Sequence, residues 1–330
     1  MLYRILPNRS FTRLAVPLLH PGSSLCGRSF NSLGAATMGK QREGHLERTA
    51  AEPRDADFHE VRLGRVEQVN ERVRLFRLDL VSGPIKFLPG QWLDTYIPDV
   101  PKAGGFTITS APSAALTGPS PYLELAVQES PENEPAAWLW RPVGEILGAR
   151  LRVRVGGRFV FPPQSGGEGV AASVLKRVVF VAGGVGVNPL VSMLSYIAEG
   201  HERDAAALDV SFMYASKMPT SGNLSDIVFL DRITRDFGEG KVKGKVKLFI
   251  TAARDVATSQ QQQETRYING APVEMQPRRL TIADIGEAIG GEDHEGTVVY
   301  VCGPPPMTDE LVEKLAAVMD SRRVLTERWW

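Results

Sequence analysis

The sequence predicts two domains, an antiparallel β-barrel followed by an α/β domain built on a parallel sheet. The first observation is a series of short strand patterns over residues 58–170, separated by turns that contain Gly and Pro at 82–84, 89–90, 117–121 and 156–157. The second is a change of rhythm after Lys176, where apolar runs alternate with helical patterns. A length of 330 residues also exceeds that of a typical single domain.

Alternating side chains identify two strands of the predicted barrel. Leucine and valine alternate with other residues over 122–127, and with three arginines over 150–155. A row of arginines suggests a binding face, but alternation is also typical of a strand with one face in solvent, which is the interpretation we favour. One short helix is predicted between these strands, from Pro135 to Trp140.

The α/β half is predicted from four apolar runs of strand length and four helical patterns. The strands are predicted at 178–182, 208–214, 246–251 and 297–302, and the helices at 189–199, 224–237, 281–289 and 308–319. Parallel sheets bind ligands at the carboxyl ends of their strands, so the candidate site is expected there. The polar stretch 252–280 is predicted to be a surface insertion without clear structure.

A glycine-rich turn follows the first of these strands. Gly183, Gly184 and Gly186 are followed by Asn188 as the expected helix N-cap and by Pro189 at the expected first helical position. Such a turn presents backbone N–H groups and the positive end of a helix dipole to an anion, which favours a nucleotide diphosphate. The alternative is that the glycines only shape the turn.

The last predicted strand ends in Cys302-Gly303-Pro304, followed by two more prolines and a methionine. Prolines lack an N–H and fix an extended turn, and Thr308 is expected to cap the next helix. Cys302 is therefore expected at the carboxyl edge of the sheet, beside the glycine turn. A functional role and burial as a small apolar residue both remain open for its thiol.

The first 42 residues contain six basic and no acidic side chains, together with several serines. This composition is typical of an organelle transit peptide, and we expect a mitochondrial protein. A secretory signal and an untargeted, cytosolic chain are the alternatives. Residues 43–57 are polar and charged and are expected to form a linker.

Composition argues against several classes of function. The formal net charge of +0 disfavours a nucleic-acid surface, and no apolar run is long enough to span a membrane. The two cysteines, Cys26 and Cys302, are not expected to form a disulfide, because Cys26 lies in the segment expected to be removed. The five histidines are scattered, and we expect no metal site.

Together these motifs resemble the ferredoxin–NADP reductase superfamily over residues 58–330. The residues that carry the resemblance are FLPGQW at 87–92, GGFTITSAP at 104–112, VRVGGRFVF at 153–161, GGVGVNP at 183–189 and CGPPPM at 302–307. The CGPPPM form is most similar to that of cytochrome b5 reductases.

The resemblance implies a flavin-type barrel over 58–170 that holds FAD, and an α/β domain over 171–330 that holds NAD(P)H. A hydride would pass from the nicotinamide to the flavin, and the electrons would leave to an acceptor that the sequence does not identify, a redox protein being one candidate. The implied catalytic residues are Thr107, as a hydrogen-bond donor to flavin N5, and Cys302.

The barrel departs from the family pattern where FAD would bind. Phe106 keeps the aromatic face that packs on the flavin, whereas Gly104 replaces the arginine that pairs with the diphosphate. Ala136 replaces a serine at the start of the phosphate-binding helix, and Arg158 is expected to compensate in part. If this is a weakened FAD site, Gly104→Arg is expected to tighten FAD binding.

The α/β half matches the family more fully. The resemblance implies contacts to the pyridine nucleotide by Gly183, Gly184, Val185, Gly186, Val187, Asn188, Pro189, Ser216, Lys217, Cys302, Gly303 and Pro304. Ser216 and Lys217 provide no arginine fork for a 2′-phosphate, and the CGPPPM ending favours NADH over NADPH. The terminal Trp330 is expected either to cover the flavin face or to anchor the tail.

Two functions are consistent with these residues. The first is a flavin-dependent NADH oxidoreductase of the mitochondrion. The second is a nucleotide-binding regulatory or scaffold protein that has weakened or lost its FAD site, which Gly104 and Ala136 favour. The first function requires Thr107 and Cys302 to face a shared crevice between the two halves.

Overall fold

The structure is a computed structural model, and it describes residues 44–164, 175–200, 208–251, 263–290 and 294–328. The chain divides into two units, residues 1–42 and 43–330, and every described element belongs to the second unit. The predicted transit peptide and Trp330 lie outside the described residues. Below, the antiparallel half means residues 44–164 and the mixed half means the described residues from 175 to 328.

Six antiparallel strands form the sheet of the antiparallel half. They are β1 (His59–Asn70), β2 (Val73–Leu80), β3 (Trp92–Tyr96), β4 (Gly104–Thr107), β5 (Tyr122–Gln128) and β6 (Arg150–Gly156). Their order is β4-β3-β6-β1-β2-β5. The predicted antiparallel strands are confirmed, but closure into a barrel is not. Between the two edge strands, the described residues show a single bridge, from Ile108 to Leu125.

The core of the antiparallel half is built by alternating side chains from these strands. It includes Leu63, Phe76, Leu93, Leu125 and Val153, each at most 1% exposed. Two short helices, α2 (Glu134–Leu139) and α3 (Val143–Ile146), connect β5 to β6. The predicted helix between these strands is therefore present, one residue earlier than expected.

The stretch 43–57, expected to be a linker, packs against the antiparallel sheet where it is described. It begins with helix α1 (His45–Arg48). Beyond this helix, the Asp55 N–H donates to the Val155 carbonyl and the Gly157 N–H donates to the Pro53 carbonyl, both at 2.9 Å. The polar composition of this stretch suggested a linker. The residues that the stretch contacts lie far away in the sequence, so their contacts could not be predicted.

Seven strands form the sheet of the mixed half, in the order β10-β11-β9-β8-β7-β12-β13. They are β7 (Arg177–Gly183), β8 (Asp209–Lys217), β9 (Lys243–Thr251), β10 (Glu264–Ile268), β11 (Ala271–Gln276), β12 (Thr297–Cys302) and β13 (Val324–Glu327). Four helices flank the sheet: α4 (Val187–Ala198), α5 (Leu230–Gly238), α6 (Ile282–Ile289) and α7 (Pro305–Ala316). The four predicted strands and four predicted helices are all present; the strand at 297–302 has the predicted bounds, and the ends of the others are shifted.

The sheet is mixed rather than parallel throughout, because β10 runs antiparallel to β11. These two strands lie in the stretch 252–280, so the prediction that this stretch lacks regular structure is wrong for its described part. The turn between them is Asn269-Gly270, and both residues have positive φ, 50° and 83°. An Asn-Gly pair with this conformation is typical of a two-residue hairpin turn, a signal that the polar flanking residues obscured.

Four strands of the mixed sheet, β7, β8, β9 and β12, are largely buried on both faces, as their continuous apolar runs predict. On β7, Phe180 points into the core that α4 and α5 cover, and Val181 points into the core that α6 and α7 cover. Within the described part of the chain, no helix has the length and apolar character needed to cross a bilayer.

Side-chain hydrogen bonds join the two halves into one unit. Asn188 Nδ2 donates to the Ala126 carbonyl at 2.9 Å, and Ser192 Oγ donates to the Ser110 carbonyl at 2.8 Å. These contacts fix α4 against the antiparallel half. The start of α4, where the glycine turn lies, is thereby held at the boundary between the halves.

Candidate functional site

Four neighbouring strands of the mixed sheet end at the same edge. In the register of the sheet, Cys302 lies beside Ala182 on one side and beside Glu327 on the other. One residue further along β7, Gly183 lies beside Ala215. The glycine turn, the end of β8, Cys302 and Glu327 therefore form one continuous row, as expected for a ligand site in a parallel sheet.

Two of the three glycines are required by contact with the end of β12. A Cβ on Gly186 would lie 2.2 Å from the Cys302 carbonyl oxygen, and a Cβ on Gly183 would lie 2.7 Å from Met307 Sδ. Gly184 differs, because its φ is +53° and the space around its missing Cβ is open. Gly184 is thus the position where a ligand's phosphate has free access to the backbone.

The side chains after the glycine turn face the antiparallel half. Helix α4 begins at Val187 and its N-cap is Gly186, so the predicted N-cap role of Asn188 is wrong. Val187, Asn188 and Pro189 are all buried. Of these, Asn188 donates to the Ala126 carbonyl across the boundary between the halves, and the exposed face of the turn consists of Gly184 and part of Val185.

The segment after Cys302 is fixed by Thr308. Helix α7 begins at Pro305, so Thr308 lies inside the first turn instead of at the predicted cap position. Its hydroxyl donates to the Gly303 carbonyl at 3.1 Å, which closes the turn from inside. Cys302 is fully buried, whereas Pro304 is exposed at the edge of the site.

Glu327 is a site residue that the sequence reasoning missed. It lies on β13 beside Cys302, and the Trp92 indole N–H is close enough to its carboxyl group to act on the pKa of that group, which it lowers. Its Oε2 atom is buried and has no partner among the described residues. Burial raises the pKa of Glu327 well above its ordinary value, and the nearby Glu52 carboxylate raises it further.

Trp92 connects the two halves across the site. It lies directly opposite Thr107 in the β3–β4 ladder, and its indole reaches Glu327, the neighbour of Cys302. Two strand pairings and one indole–carboxyl contact thus connect Thr107 to Cys302 through two intermediate residues. Both are enclosed, with Thr107 5% and Cys302 0% exposed.

Trp92 is itself held in place by a buried ionic cluster on the outer face of β3. Asp94 is fully buried and accepts hydrogen bonds from His45 Nε2 at 3.0 Å, Arg54 Nε at 2.8 Å and Arg154 Nη2 at 2.7 Å. The His45 ring and the Arg54 guanidinium both pack on Trp92. Arg154 was expected to face solvent, and His45 was assigned no role. Neither contact could be predicted, because Asp94, the partner of both residues, is distant from them in the sequence.

Burial and hydrogen bonding act in opposite directions on the pKa of Asp94. Burial raises the pKa, but the hydrogen bonds from His45, Arg54 and Arg154 outweigh burial and hold the pKa below its ordinary value. Asp94 is therefore charged at neutral pH and anchors the stretch 44–57 to the sheet.

The diphosphate end of FAD does not fit the residues present in the antiparallel half. A Cβ on Gly104 would lie 2.5 Å from Phe106 Cε2 and 2.7 Å from Pro135 Cβ, so the position of the family arginine is closed. The Ala136 N–H donates to Asn133 Oδ1 at 3.3 Å. Arg158 does not turn toward this region but pairs with Glu52, Nε to Oε2 at 2.9 Å.

Phe106 lies in the core of the antiparallel half and is 8% exposed. Its ring covers Gly104 in place of an arginine side chain. The expected Gly104→Arg test is consequently compromised, since the new side chain would first have to displace Phe106 and Pro135.

Ser216 and Lys217 end β8, beyond the level of Gly183. The Ser216 hydroxyl donates to the Lys217 carbonyl at 3.0 Å, and Lys217 is exposed. Among the described residues, Lys217 is the basic side chain at the end of β8, and it is exposed to solvent.

The chain is similar to known proteins in sequence and in fold. The family described as Oxidoreductase NAD-binding domain matches residues 180–313. The "Oxidoreductase NAD-binding domain-containing protein 1" of Danio rerio is 30% identical over 296 residues, which cover 88% of this chain and 99% of the relative.

Two solved structures share the fold at lower identity. The CS-b5R domains of human Ncb5or in the NAD+ form give a TM-score of 0.58 at 18% identity, covering 82% of this chain and 69% of that chain. A ferredoxin NADP+ reductase from Neisseria gonorrhoeae with bound FAD and NADP gives 0.55 at 14% identity, covering 84% and 100%. These two likenesses establish the fold alone. Because the sequence identity to the zebrafish relative extends over nearly the whole of that protein, the chain belongs to the oxidoreductase NAD-binding domain-containing protein 1 family.

Proposed function

We propose that this chain is an NADH-dependent oxidoreductase that presents the nicotinamide ring to an acceptor in the crevice beside Thr107. The observation that carries the proposal is the row of contacts from Thr107 through Trp92 and Glu327 to Cys302. This row joins two places. One is the edge of the mixed sheet formed by the glycine turn and Cys302, and the other is β4, the strand that carries the flavin contact in proteins of this fold. The match to an oxidoreductase NAD-binding domain supports the same function.

The residues of the mixed half fit a pyridine nucleotide. Gly184 and Val185 leave the backbone open in front of α4, a helix of 12 residues whose dipole favours a diphosphate. At the other end of the row, Glu327 holds an unpaired oxygen in a buried position. When bound, the dihydronicotinamide supplies a hydride.

The protein's own contribution is orientation and the exclusion of water. Thr107 provides a hydroxyl, and Glu327, whose pKa is raised by burial, provides a carboxyl group next to Cys302. Cys302 is small and buried, and the nicotinamide ring would lie next to it. Holding two reacting rings in a fixed orientation accounts for most of what hydride transfer requires of a protein.

The end of β8 favours NADH over NADPH. A 2′-phosphate is best bound by the fork of an arginine, and this edge offers Lys217 and the Ser216 hydroxyl. We expect NADH to bind at least about tenfold more tightly than NADPH. Lys217→Ala should weaken NADPH binding and leave NADH binding unchanged.

Substitution of Gly184 tests the nucleotide site. An added Cβ in front of α4 should weaken NADH binding at least about tenfold, because it prevents close approach of the diphosphate to the backbone. Gly118→Ala is the matched control, since Gly118 also has positive φ, +92°, and open space around it. NADH affinity is measured by fluorescence titration of the full chain. Equal affinities for Gly184→Ala and Gly118→Ala would contradict the proposed site.

A regulatory or scaffold role is the second candidate, and the closed position at Gly104 favours it. Such a protein would bind NADH but would not oxidise it. Incubation of the chain with NADH and added flavins, followed by absorbance of the dihydronicotinamide, separates the two functions. Loss of NADH absorbance in proportion to protein supports the oxidoreductase, and its persistence supports the regulatory role.

We also propose that the first 42 residues direct the chain to mitochondria. The basic, acid-free composition of this segment supports the proposal. Import of the full chain into isolated mitochondria, and failure of a chain lacking residues 1–42 to enter, is the expected result. Equal behaviour of both chains would exclude this role for the segment.

A further inference from the structure

The strand β13 is attached to the mixed sheet on one side only. It lies at one edge of the sheet and, among the described strands, pairs with β12 alone. Its four residues are all half-buried, whereas the six residues of β12 are all buried. Just beyond β13, Arg328 forms an exposed ion pair with Asp309 of α7, which contributes little to stability. A short, half-buried edge strand of this kind opens at a lower free energy than the inner strands of a sheet.

Two of the four side chains of β13 hold a buried oxygen atom without a hydrogen bond. These atoms are Thr326 Oγ1 and Glu327 Oε2, and neither has a partner among the described residues. Most buried polar atoms in folded proteins are hydrogen-bonded, and each unpaired one destabilises the packed state. Val324 and Leu325 pack against the two cores of the mixed half and favour the docked position. Detachment of β13 would return both oxygens to water.

The groups around the Glu327 carboxyl group come from three other parts of the chain. Cys302 lies beside it on β12, Trp92 approaches it from β3, and the Glu52 carboxylate lies near it in the stretch 44–57. Arg158 is bound to Glu52 through two contacts, Nε to Oε2 at 2.9 Å and Nη2 to Oε1 at 3.2 Å. The nearest like charge to Glu327 is therefore fixed in its position.

The two basic side chains that pack on Trp92 are bound elsewhere. Both the His45 ring and the Arg54 guanidinium donate to Asp94. An ionised Glu327 in the docked position would be buried next to a second carboxylate, an arrangement that favours the protonated form. Burial is the larger cause of the raised pKa of Glu327, Glu52 adds to it, and the contact with Trp92 opposes both.

We propose that β13 is a proton-controlled strand, which docks on β12 while Glu327 is protonated and detaches when Glu327 is ionised. On detachment the carboxyl O–H bond breaks and the proton passes to water, so a hydrated carboxylate remains. The docked state binds this proton more tightly than the detached state, and a rise in pH therefore favours detachment. Above the ordinary pKa of a glutamate, about 4.3, each pH unit can shift this equilibrium by at most about tenfold.

Detachment would free the edge of β12 that ends at Cys302, beside the glycine turn. The pH would then control access to this part of the candidate site. This consequence rests on the proposed function, whereas the movement of β13 requires neither NADH nor an acceptor.

Hydrogen exchange of the full chain at pH 5.5, 6.5 and 7.5, followed by mass spectrometry, tests the inference. Rates are divided by the intrinsic exchange rate at each pH to give protection factors. Between pH 5.5 and 7.5 we expect the protection of residues 324–327 to fall at least about fivefold and at most about 100-fold. Protection of β7 and β8 should stay constant. Constant protection of β13, or an equal fall in β7 and β8, would overturn the inference.

Substitution identifies the group that titrates. Glu327→Gln keeps the size of the side chain but cannot ionise, so the protection of β13 should become independent of pH. Glu52→Gln removes the like charge and should reduce the fall in protection without abolishing it. Glu310→Gln is the matched control, because Glu310 is an exposed carboxylate of the neighbouring α7 that pairs with Lys314. A pH dependence that persists in Glu327→Gln would contradict the assignment.

Titration with NADH at the same pH values separates this inference from the proposed function. A pH-dependent β13 in a chain that does not bind NADH would support the inference and refute the proposed function. NADH binding by a chain whose β13 is equally protected at all three pH values would refute the inference and leave the proposed function intact.

Discussion

The buried Asp94 carboxylate attaches residues 44–57 to the antiparallel sheet. Asp94 has no solvent contact, and its charge is balanced by Arg54 and Arg154 and by the His45 ring. The free energy of such a cluster depends on every member, because removal of one leaves the others buried without a partner. These contacts also orient Trp92, so a change at Asp94 reaches the candidate site.

We predict that Asp94→Asn lowers the free energy of unfolding by about 3–5 kcal/mol, as measured by urea denaturation. The matched control is Asp79→Asn, whose partners Arg62 and Arg77 are at the surface, and its cost should be about 0–1 kcal/mol. The wild type should also lose stability as the pH falls below the ordinary pKa of an aspartate, about 4, toward the lowered value in the folded state. The Asn variant should lose less over that range. Similar costs for Asp94→Asn and Asp79→Asn would contradict the structural role of the cluster.

Glu327 gives the opposite dependence on pH. Its pKa is raised in the folded state, so the folded protein binds the proton more tightly than the unfolded chain does. Stability therefore falls as the pH rises from the ordinary pKa toward the raised one.

We predict that Glu327→Gln, which imitates the neutral acid, gains stability relative to the wild type between about pH 5 and about pH 7.5. The measurement is the free energy of unfolding of both proteins at the two pH values. Glu310→Gln is the control, because the exposed Glu310 pairs with Lys314 and its pKa is lowered, so it stays charged over this range. A pH-independent difference between Glu327→Gln and the wild type would show that the carboxyl group is ionised.

At the scale of elements, the central feature is the contact between the glycine turn and the end of β12. Gly183 and Gly303 approach each other closely, and Gly186 packs on the Cys302 carbonyl. The two motifs that stand about 120 residues apart in the sequence are thus parts of one packed edge. Glycine is needed there mainly for backbone packing, and at Gly184 for an open, positive-φ turn.

We predict that Gly186→Ala costs at least about 2–3 kcal/mol in the free energy of unfolding and also weakens NADH binding, because its Cβ would force β7 and β12 apart. Gly286→Ala is the matched control. Gly286 lies inside α6 with no atom within 4 Å of the added Cβ, so this change should stabilise by about 0.5–1 kcal/mol. A neutral effect of Gly186→Ala on both stability and binding would contradict the packed edge.

At the scale of the whole molecule, function depends on how the two halves are held together. Arg232 of α5 forms a two-pronged pair with Glu124 of β5, Nη2 to Oε1 at 2.8 Å and to Oε2 at 3.0 Å. Its Nη1 also donates to the Thr109 carbonyl at 3.2 Å, near the end of β4. With the contacts of α4, this pair holds the mixed half against the antiparallel half.

We predict that Arg232→Ala increases hydrogen exchange in β5 and α5 and lowers stability by about 1–3 kcal/mol. The control is Arg235→Ala on the same helix, since Arg235 forms an exposed pair with Asp231 and contacts only its own helix there. Exchange rates measured by mass spectrometry should separate the two variants. Identical exchange in both would mean that other contacts alone hold the halves together.

Most of the elements could be predicted because their signals are local. Period-two alternation identified β5 and β6, and buried apolar runs identified β7, β8, β9 and β12. The hairpin β10–β11 was missed because its strands are polar, with Ala271, Val273 and Met275 as the buried members. The ends of α4 and α7 were displaced because Asn188 and Thr308 bond to distant or internal groups instead of capping.

The sequence by itself determined the two-part architecture, the sheet edge that Gly183–Gly186 and Cys302 share, and the absence of an arginine at position 104. These follow from periodicity and residue type, which are properties of short segments. Only the tertiary structure decided that Phe106 and Pro135 fill the space at Gly104, that His45 and Arg154 share Asp94, and that the Glu327 carboxyl group lies near Trp92 with its Oε2 atom buried. Each of these depends on residues that are far apart in the chain, and the burial of a charge or the closing of a space exists only once those residues have packed together.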